Sequence, residues 1–276
     1  MTARPSDLTE ASEAGPAASA RQDAGAVSAR DFVAALASGL LVIEAFDQDR
    51  PRLSISEVAQ RAGLTRAAAR RHLLTLTQLG YAHQQGRLFE LTAKVLRFGQ
   101  SYMHSARLPR LLQPQLTRMA LALQEASSAG VLDGDDVISV AAATAGRVVS
   151  ATVQPGTRVP AWCTANGRVL LAALPNDALD AFIARQPMLP LTPQTVTQPE
   201  RLRLEIERVR VRGYALVDQE LEPGLRTLSV PLRNFRGDVV AAINVSAHAG
   251  RMSNAELLDR CLPMLLEVQA HLRQFL

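Results

Sequence analysis

Ser54-Ile55-Ser56-Glu57-Val58-Ala59-Gln60-Arg61-Ala62-Gly63-Leu64-Thr65-Arg66-Ala67-Ala68-Ala69-Arg70-Arg71-His72-Leu73-Leu74-Thr75-Leu76-Thr77-Gln78-Leu79-Gly80 decides how the first half of the chain folds. Ser54 with Glu57 three residues on is a capping box, so a short helix starts there and ends at Ala62-Gly63. Leu64-Thr65 leads directly into a second helix, Arg66 to Leu79, which Gly80 closes. Ala69, Leu73 and Leu76 share one face of that helix and are expected in a core. Arg66, Ala67, Arg70 and Arg71 share another, all within its first turn and a half. Upstream, Asp31 caps a helix whose apolar residues Val33, Leu36, Leu40, Ile43 and Phe46 recur at helical spacing, until Gln48–Leu53, with Pro51 inside it, breaks the pattern. Downstream the period changes to two: Tyr81–Gln84 and Arg87–Leu91 flank Gln85-Gly86 as a small hairpin. Helix, helix, tight turn, helix and hairpin over residues 31–91 is the order of a winged helix-turn-helix.

The charge pattern agrees. Between Arg61 and Arg110 there are nine basic residues against one acid, Glu90, in a chain whose net charge is only +4. A basic face on one domain is the electrostatic footprint of a nucleic-acid binder, although a plain solvated surface would look the same by charge alone. A recognition helix needs long donors at its N-terminal end, where it enters the major groove. Arginine there reads guanine or grips phosphate, and short Ala67 and Ala68 permit close approach. The expected contacts to double-stranded DNA are Ser54, Thr65, Arg66, Ala67, Arg70 and Arg71, with Gln85, Gly86 and Arg87 from the hairpin tip.

At 276 residues the chain is long enough for two domains. Residues 1–30, rich in Ala, Ser, Gly and Asp without apolar period, read as a disordered arm. A helix from Thr92 to Met103 within a linker, 92–108, leads to a mixed pattern over 109–276. Here a helix is expected at Pro114–Ser127, stopping at Gly130, then strands at Asp136–Ala142 and Arg147–Val153 joined by Thr144-Ala145-Gly146. Helices follow at Thr164–Ala173, Asn176–Arg185 and Pro199–Val211, and strands at Tyr214–Glu220, Thr227–Leu232 and Val239–Ser246. A last helix after Ser253 carries the stripe Leu257, Cys261, Leu265, Val268 and Leu272, bent or interrupted by Pro263. Hairpin-joined strands with helices at both ends imply an α+β fold, an antiparallel sheet covered by helices.

Several function classes find no support. Cys163 and Cys261 form neither a disulfide framework nor a zinc spacing, and no catalytic group pairing stands out, so no enzyme, metal or cofactor is expected. Asp133-Gly134-Asp135-Asp136 lacks the spaced ligands of a calcium loop. The chain lacks a basic-then-apolar start, and its most apolar stretch, Phe32–Ile43, is too short to span a bilayer, which suggests a cytoplasmic protein without a membrane partner.

Glu57-Val58-Ala59, Gly63-Leu64, Arg70-Arg71, Leu76 and Leu79-Gly80-Tyr81 resemble the winged-helix half of the IclR family of bacterial regulators. Gly156-Thr157-Arg158-Val159-Pro160, Thr164 to Ala172, Arg212-Gly213-Tyr214-Ala215, Pro223-Gly224-Leu225-Arg226 and Val240 to Ser246 are similar to its effector domain. The resemblance runs from Phe32 to the C-terminus. It implies a GAF-like α/β effector and oligomerisation domain, a homodimer or dimer of dimers, and control of catabolic genes, with RNA polymerase a further candidate partner. Within the family, Leu64-Thr65-Arg66 and Pro160-Ala161-Trp162-Cys163-Thr164 look most like regulators of protocatechuate, 4-hydroxybenzoate and β-ketoadipate breakdown, although Ala141–Arg147 is short and small where those relatives carry an arginine-rich turn. Carried over, the effector pocket comprises Thr164, Ala165 and Asn166 at a helix start, Thr227, Asn244 and Ser246 on strands, and Asp218 at the rim. A helix start attracts a carboxylate, so a small organic acid, aromatic or a ring-cleavage product, is the expected ligand. Arg158 and Arg226 are either carboxylate clamps or structural ion pairs. The alternatives are a regulator of another organic-acid pathway, or a DNA-binding protein whose large domain only oligomerises.

Overall fold

A computed structural model describes residues 28, 30–47, 49–145 and 154–276. They form two compact units that divide at Phe98/Gly99, inside the segment read as a linker.

In unit 1, helices α1 (Ala34–Glu44), α2 (Ile55–Ala62) and α3 (Arg66–Gln78) pack with strands β1 (Arg52–Ser54), β2 (Ala82–Gln85) and β3 (Leu88–Leu91). Ser54 and Glu57 exchange the reciprocal bonds of a capping box at the start of α2, and Gly63 closes it with φ 65°, a left-handed conformation that suits glycine. Thr65 Oγ1 accepts from the Ala68 amide and caps α3. The core is Val42, Leu53, Val58, Ala69, Leu73 and Phe89, each fully buried large side chain contributing about 1.5–3 kcal/mol. Lys94, the only lysine, donates to the Leu79 carbonyl at the end of α3 (2.6 Å), where a cation complements the helix dipole.

Two expectations for this unit change. Arg52–Ser54, expected to be part of a break, is a strand: β1 pairs antiparallel with β3, aligning Leu53 with Phe89, while Arg52 bonds Glu90 at 2.7 Å. The sheet order is therefore β1-β3-β2. Asp31 does not cap α1; it accepts from Ser28, and Val33 occupies the cap position without a side-chain bond. Only the C-terminal end of α1 reaches the core, through Val42 and neighbouring Ala45, so Val33, Leu36 and Leu40 of the anticipated stripe are exposed.

Helix α4 (Leu96–Ser105) crosses the division. In unit 2, α5 (Arg107–Leu123) precedes β4 (Ala126–Asp133), β5 (Asp136–Ala143) and β6 (Arg158–Pro160). Then come α6 (Ala165–Ala172), α7 (Asn176–Arg185), α8 (Pro199–Arg212), β7 (Ala215–Asp218), β8 (Leu225–Arg233) and β9 (Val239–His248). The last helix comprises α9 (Asn254–Glu256), a widened π segment at Leu257–Cys261 and α10 (Leu262–Leu272). The widening lies directly before Pro263, whose ring lacks an N–H and crowds the preceding turn. The described strands form an antiparallel sheet in the order β6-β5-β4-β9-β8-β7.

Alternation assigns the sheet faces. Leu228, Val230 and Leu232 of β8 stand beside Val245, Ile243 and Ala241 of β9, and this face packs under α5 and α10. The opposite face lies under α6 and carries Ser128, Ser139, Thr227, Asn244 and Ser246 as well as apolar residues. Helix α6 approaches closely because position 167 is glycine: a Cβ there would lie 1.9 Å from the Ala161 carbonyl oxygen.

The helix expected at Pro114–Ser127 requires correction. Helix α5 starts at Arg107, holds Pro114 within it and ends at Leu123, and Ala126–Asp133 is a central strand. Its small residues are weak strand formers alone, but they fit between two layers of helices. The strand expected at Arg147–Val153 and nearly all of the arm at 1–30 lie outside the described residues.

Candidate functional site

In unit 1 the capped start of α3 is presented to solvent. Arg66, Ala67, Arg70 and Arg71 are exposed while Ala69, Leu73 and Leu76 hold the opposite side in the core. Arg52 and Arg61 are tied to Glu90 and Asp47, whereas Arg66, Arg70, Arg71 and Arg87 have no ion-pair partner among the described residues. Gln85 pairs with Leu88, which leaves Gly86 and Arg87 as the exposed hairpin tip, and Gln84 Nε2 donates to the Gly86 carbonyl. Thr65 and Ser54 belong to the same region, but the Ser54 hydroxyl is committed to Glu57. The result is a convex, cationic helix end beside a polar loop, a shape and charge suited to a groove lined with phosphates.

In unit 2 an open cavity of about 70 Å³ lies between the start of α6 and the polar face of the sheet. Thr164, Ala165, Asn166, Thr227, Asn244 and Ser246 line it together. Thr164 caps α6 by accepting from the Gly167 amide and donates to the Pro160 carbonyl (3.0 Å). A connected network holds the polar strand positions. Ser128 donates to Asn244 Oδ1 (2.6 Å), Ser229 donates to Asn166 Oδ1 (2.7 Å), and Asn244 Nδ2 donates to Ser246 (3.0 Å). Val137, Val159, Val217, Leu221 and Leu225 supply apolar walls.

None of the described lining residues is charged. An anion in this cavity would be met by the helix dipole, backbone amides and neutral side chains rather than by an arginine. Cys163 also lines the wall, and its thiol is pushed up to about 12 by burial and by the nearby Glu220 charge, so it is a neutral apolar surface and not a nucleophile.

Asp218 does not line the cavity. Arg226 (2.8 Å), Asn254 (3.0 Å) and Gln219 (3.1 Å) bond its carboxylate. Burial would raise its pKa, but these bonds outweigh it and hold the carboxyl below its ordinary value. Arg226 also donates to the Ala249 and Met252 carbonyls, and Arg158 pairs with Asp133 and Asp136, so both are structural ion pairs. Among the described residues no group of three or more His, Cys, Asp or Glu side chains could hold a metal.

Sequence reading missed Ser128 and Ser139, whose one trace is a polar residue at an inward position of an otherwise apolar strand. It also missed the buried pair between Arg168 of α6 and Glu220 (2.7 Å). Glu220 also accepts from the Val196 amide, and Arg168 donates to the Trp162 carbonyl, fixing the loop that leads into α6.

The family model described as "IclR helix-turn-helix domain" matches residues 35–86, and "Bacterial transcriptional regulator IclR C-terminal" matches residues 100–272. The chain is 43% identical to the Pca regulon regulatory protein of Pseudomonas putida over 86% of its own length and 81% of that protein's. It is 36% identical to the p-hydroxybenzoate hydroxylase transcriptional activator of Acinetobacter baylyi, over 90% and 93%. Among solved structures it is similar to the inducer-binding domain of an Acinetobacter PobR double mutant in complex with 3-hydroxybenzoic acid. That match has 30% identity and a TM-score of 0.59, covering 62% of this chain and all of that one.

Proposed function

The chain belongs to the IclR family of bacterial transcriptional regulators, and from that premise we propose that it controls genes for the breakdown of an aromatic acid and answers to such an acid, or its ring-cleavage product, bound in unit 2. The observation that carries the reading is the uncharged, largely apolar cavity at the capped start of α6. An apolar wall accommodates a ring, while the helix start and the surrounding amide and hydroxyl groups receive a carboxylate. Thr164, Ala165, Asn166, Thr227, Asn244 and Ser246 are the proposed effector contacts; Asp218 acts from outside the cavity by holding β7, β8 and the start of α9 together.

In this reading residues 31–91 bind DNA, 92–108 link and 109–276 sense the effector and oligomerise. The exposed starts of α2 and α3 and the hairpin tip meet the operator: Ser54, Thr65, Arg66, Ala67, Arg70, Arg71, Gln85, Gly86 and Arg87. One such helix reads only a short stretch, so recognition requires paired protomers on a repeated or palindromic site. The exposed Leu36 and Leu40 of α1, with Val33 at its cap, supply an apolar face for a second copy, which supports a homodimer or a dimer of dimers. RNA polymerase is a further proposed partner at the promoter. No described helix is long and apolar enough to cross a membrane, and a DNA partner implies a cytoplasmic protein.

Isothermal titration of the full chain with protocatechuate, 4-hydroxybenzoate and β-ketoadipate tests the ligand class. Saturable heat with at least one acid, weakened by Asn166→Leu, is the expected result. Absence of heat with all three would reject the aromatic pathway, leaving another acid or a domain that only oligomerises.

A further inference from the structure

Ser139 is buried, 6% exposed, and lines the cavity, yet its hydroxyl has no hydrogen-bond partner among the described residues. This contrasts with its neighbours: Ser128, Asn166, Asn244, Ser246 and Thr227 all engage one another or Ser229. Nor can the backbone at position 139 swing away, because its amide donates to the Thr157 carbonyl (2.9 Å) and its carbonyl accepts from the Gly156 amide (2.8 Å). A buried hydroxyl left unpaired is costly, and one that no described protein group pairs in an open cavity is available to solvent when the site is empty and to a polar group of the ligand when it is filled.

Its place in the sheet says which part of the ligand that is. Asn166, at the start of α6, bonds Asn244 of β9 and Ser229 of β8, and its side chain also lies against Gly130 of β4, the residue paired with Ser139. Ser139 is on β5, one strand spacing, about 5 Å, beyond Gly130 and two from Asn244 of β9. The amides of Ala165 and Asn166 head α6, and Val137, Val159 and Val217 are among the apolar groups of the same cavity. The cavity thus has a carboxylate-accepting end and a second polar point at Ser139, with apolar wall around them.

We propose that Ser139 is a specificity-determining residue that hydrogen-bonds a ring hydroxyl of the effector while the carboxylate meets the amides at the start of α6. The inference rests on the proposed aromatic-acid reading and narrows it: the pocket selects ring-hydroxylated acids over unsubstituted ones. A serine hydroxyl both donates and accepts, so it pairs with a neutral phenol in either sense. An acid without the hydroxyl leaves Ser139 unpaired and gains nothing from it.

The test is titration calorimetry of the full chain and of Ser139→Ala and Ser139→Cys with 4-hydroxybenzoate, protocatechuate and benzoate, after thermal melts show each variant folded. Unmodified protein is expected to bind a hydroxylated acid about tenfold tighter than benzoate. Ser139→Ala should remove that preference, weakening the hydroxylated acid about tenfold and leaving benzoate within about twofold. Ser139→Cys, which keeps the volume but offers a poor hydrogen bond, should follow Ser139→Ala. Equal losses for both kinds of acid, or full recovery with cysteine, would show a packing role and overturn the proposal. Wild-type binding of a hydroxylated acid that Ser139→Ala leaves unchanged would overturn it while keeping the aromatic-acid reading. Failure of the wild-type chain to bind any of these three acids would overturn the proposal, and failure with β-ketoadipate as well would overturn the aromatic-acid reading too.

Discussion

Glu220 is 7% exposed and faces Arg168, which is 2% exposed, so the pair is shielded from water. A buried ion pair need not stabilise a fold relative to an apolar pair, but removing one partner strands the other charge. Glu220→Ala is therefore expected to destabilise unit 2 by about 3–5 kcal/mol, read as a lower denaturation midpoint, with the loop at Trp162–Thr164 and the cavity disturbed. A loss under ~1 kcal/mol would mean water reaches the guanidinium. At this scale the sequence was informative where a residue sits in a recognisable run, as Asn166 and Asn244 do. It was silent on Glu220 and Arg168, whose partnership spans 52 positions. It also offered no means of telling that Arg226 occupies the carboxylate of Asp218, since such competition between side chains exists only after folding.

The start of α3 illustrates what local sequence settles at the scale of an element. Its cap, its buried stripe and its exposed arginines follow from residues within one helix, and the structure has them in those places. If Arg70 and Arg71 grip phosphates, Arg70→Ala and Arg71→Ala should each weaken binding to all duplex sequences and lower the slope of log affinity against log salt by about one for each arginine removed. A loss confined to one base position would instead mark a guanine-reading arginine, at about 1–3 kcal/mol. An unchanged slope and affinity would move the interface elsewhere. Strands β1 and β4 were illegible for the opposite reason. β1 is three residues long and exists by pairing with β3, distant in sequence, while β4 draws its stability from the strands on both sides and the helices above and below. Neither Arg52-Leu53-Ser54 nor Ala126-Ser127-Ser128-Ala129-Gly130 carries enough strand propensity alone to reveal that.

For the whole molecule, the central claim is that an acid held in unit 2 changes how unit 1 engages DNA. Such coupling is a free energy shared by two sites, and it is reciprocal: whatever factor the acid applies to DNA affinity, DNA applies to acid affinity. The most direct measurement is fluorescence anisotropy of labelled duplex from immediately upstream of the protein's own gene, titrated at fixed salt against a scrambled competitor, with and without saturating acid. Sequence-selective binding is expected, with a dissociation constant that shifts about fivefold or more with the acid that binds in calorimetry, and an equal shift in acid affinity when the duplex is present. Selective DNA binding that a saturating acid leaves unmoved would contradict it.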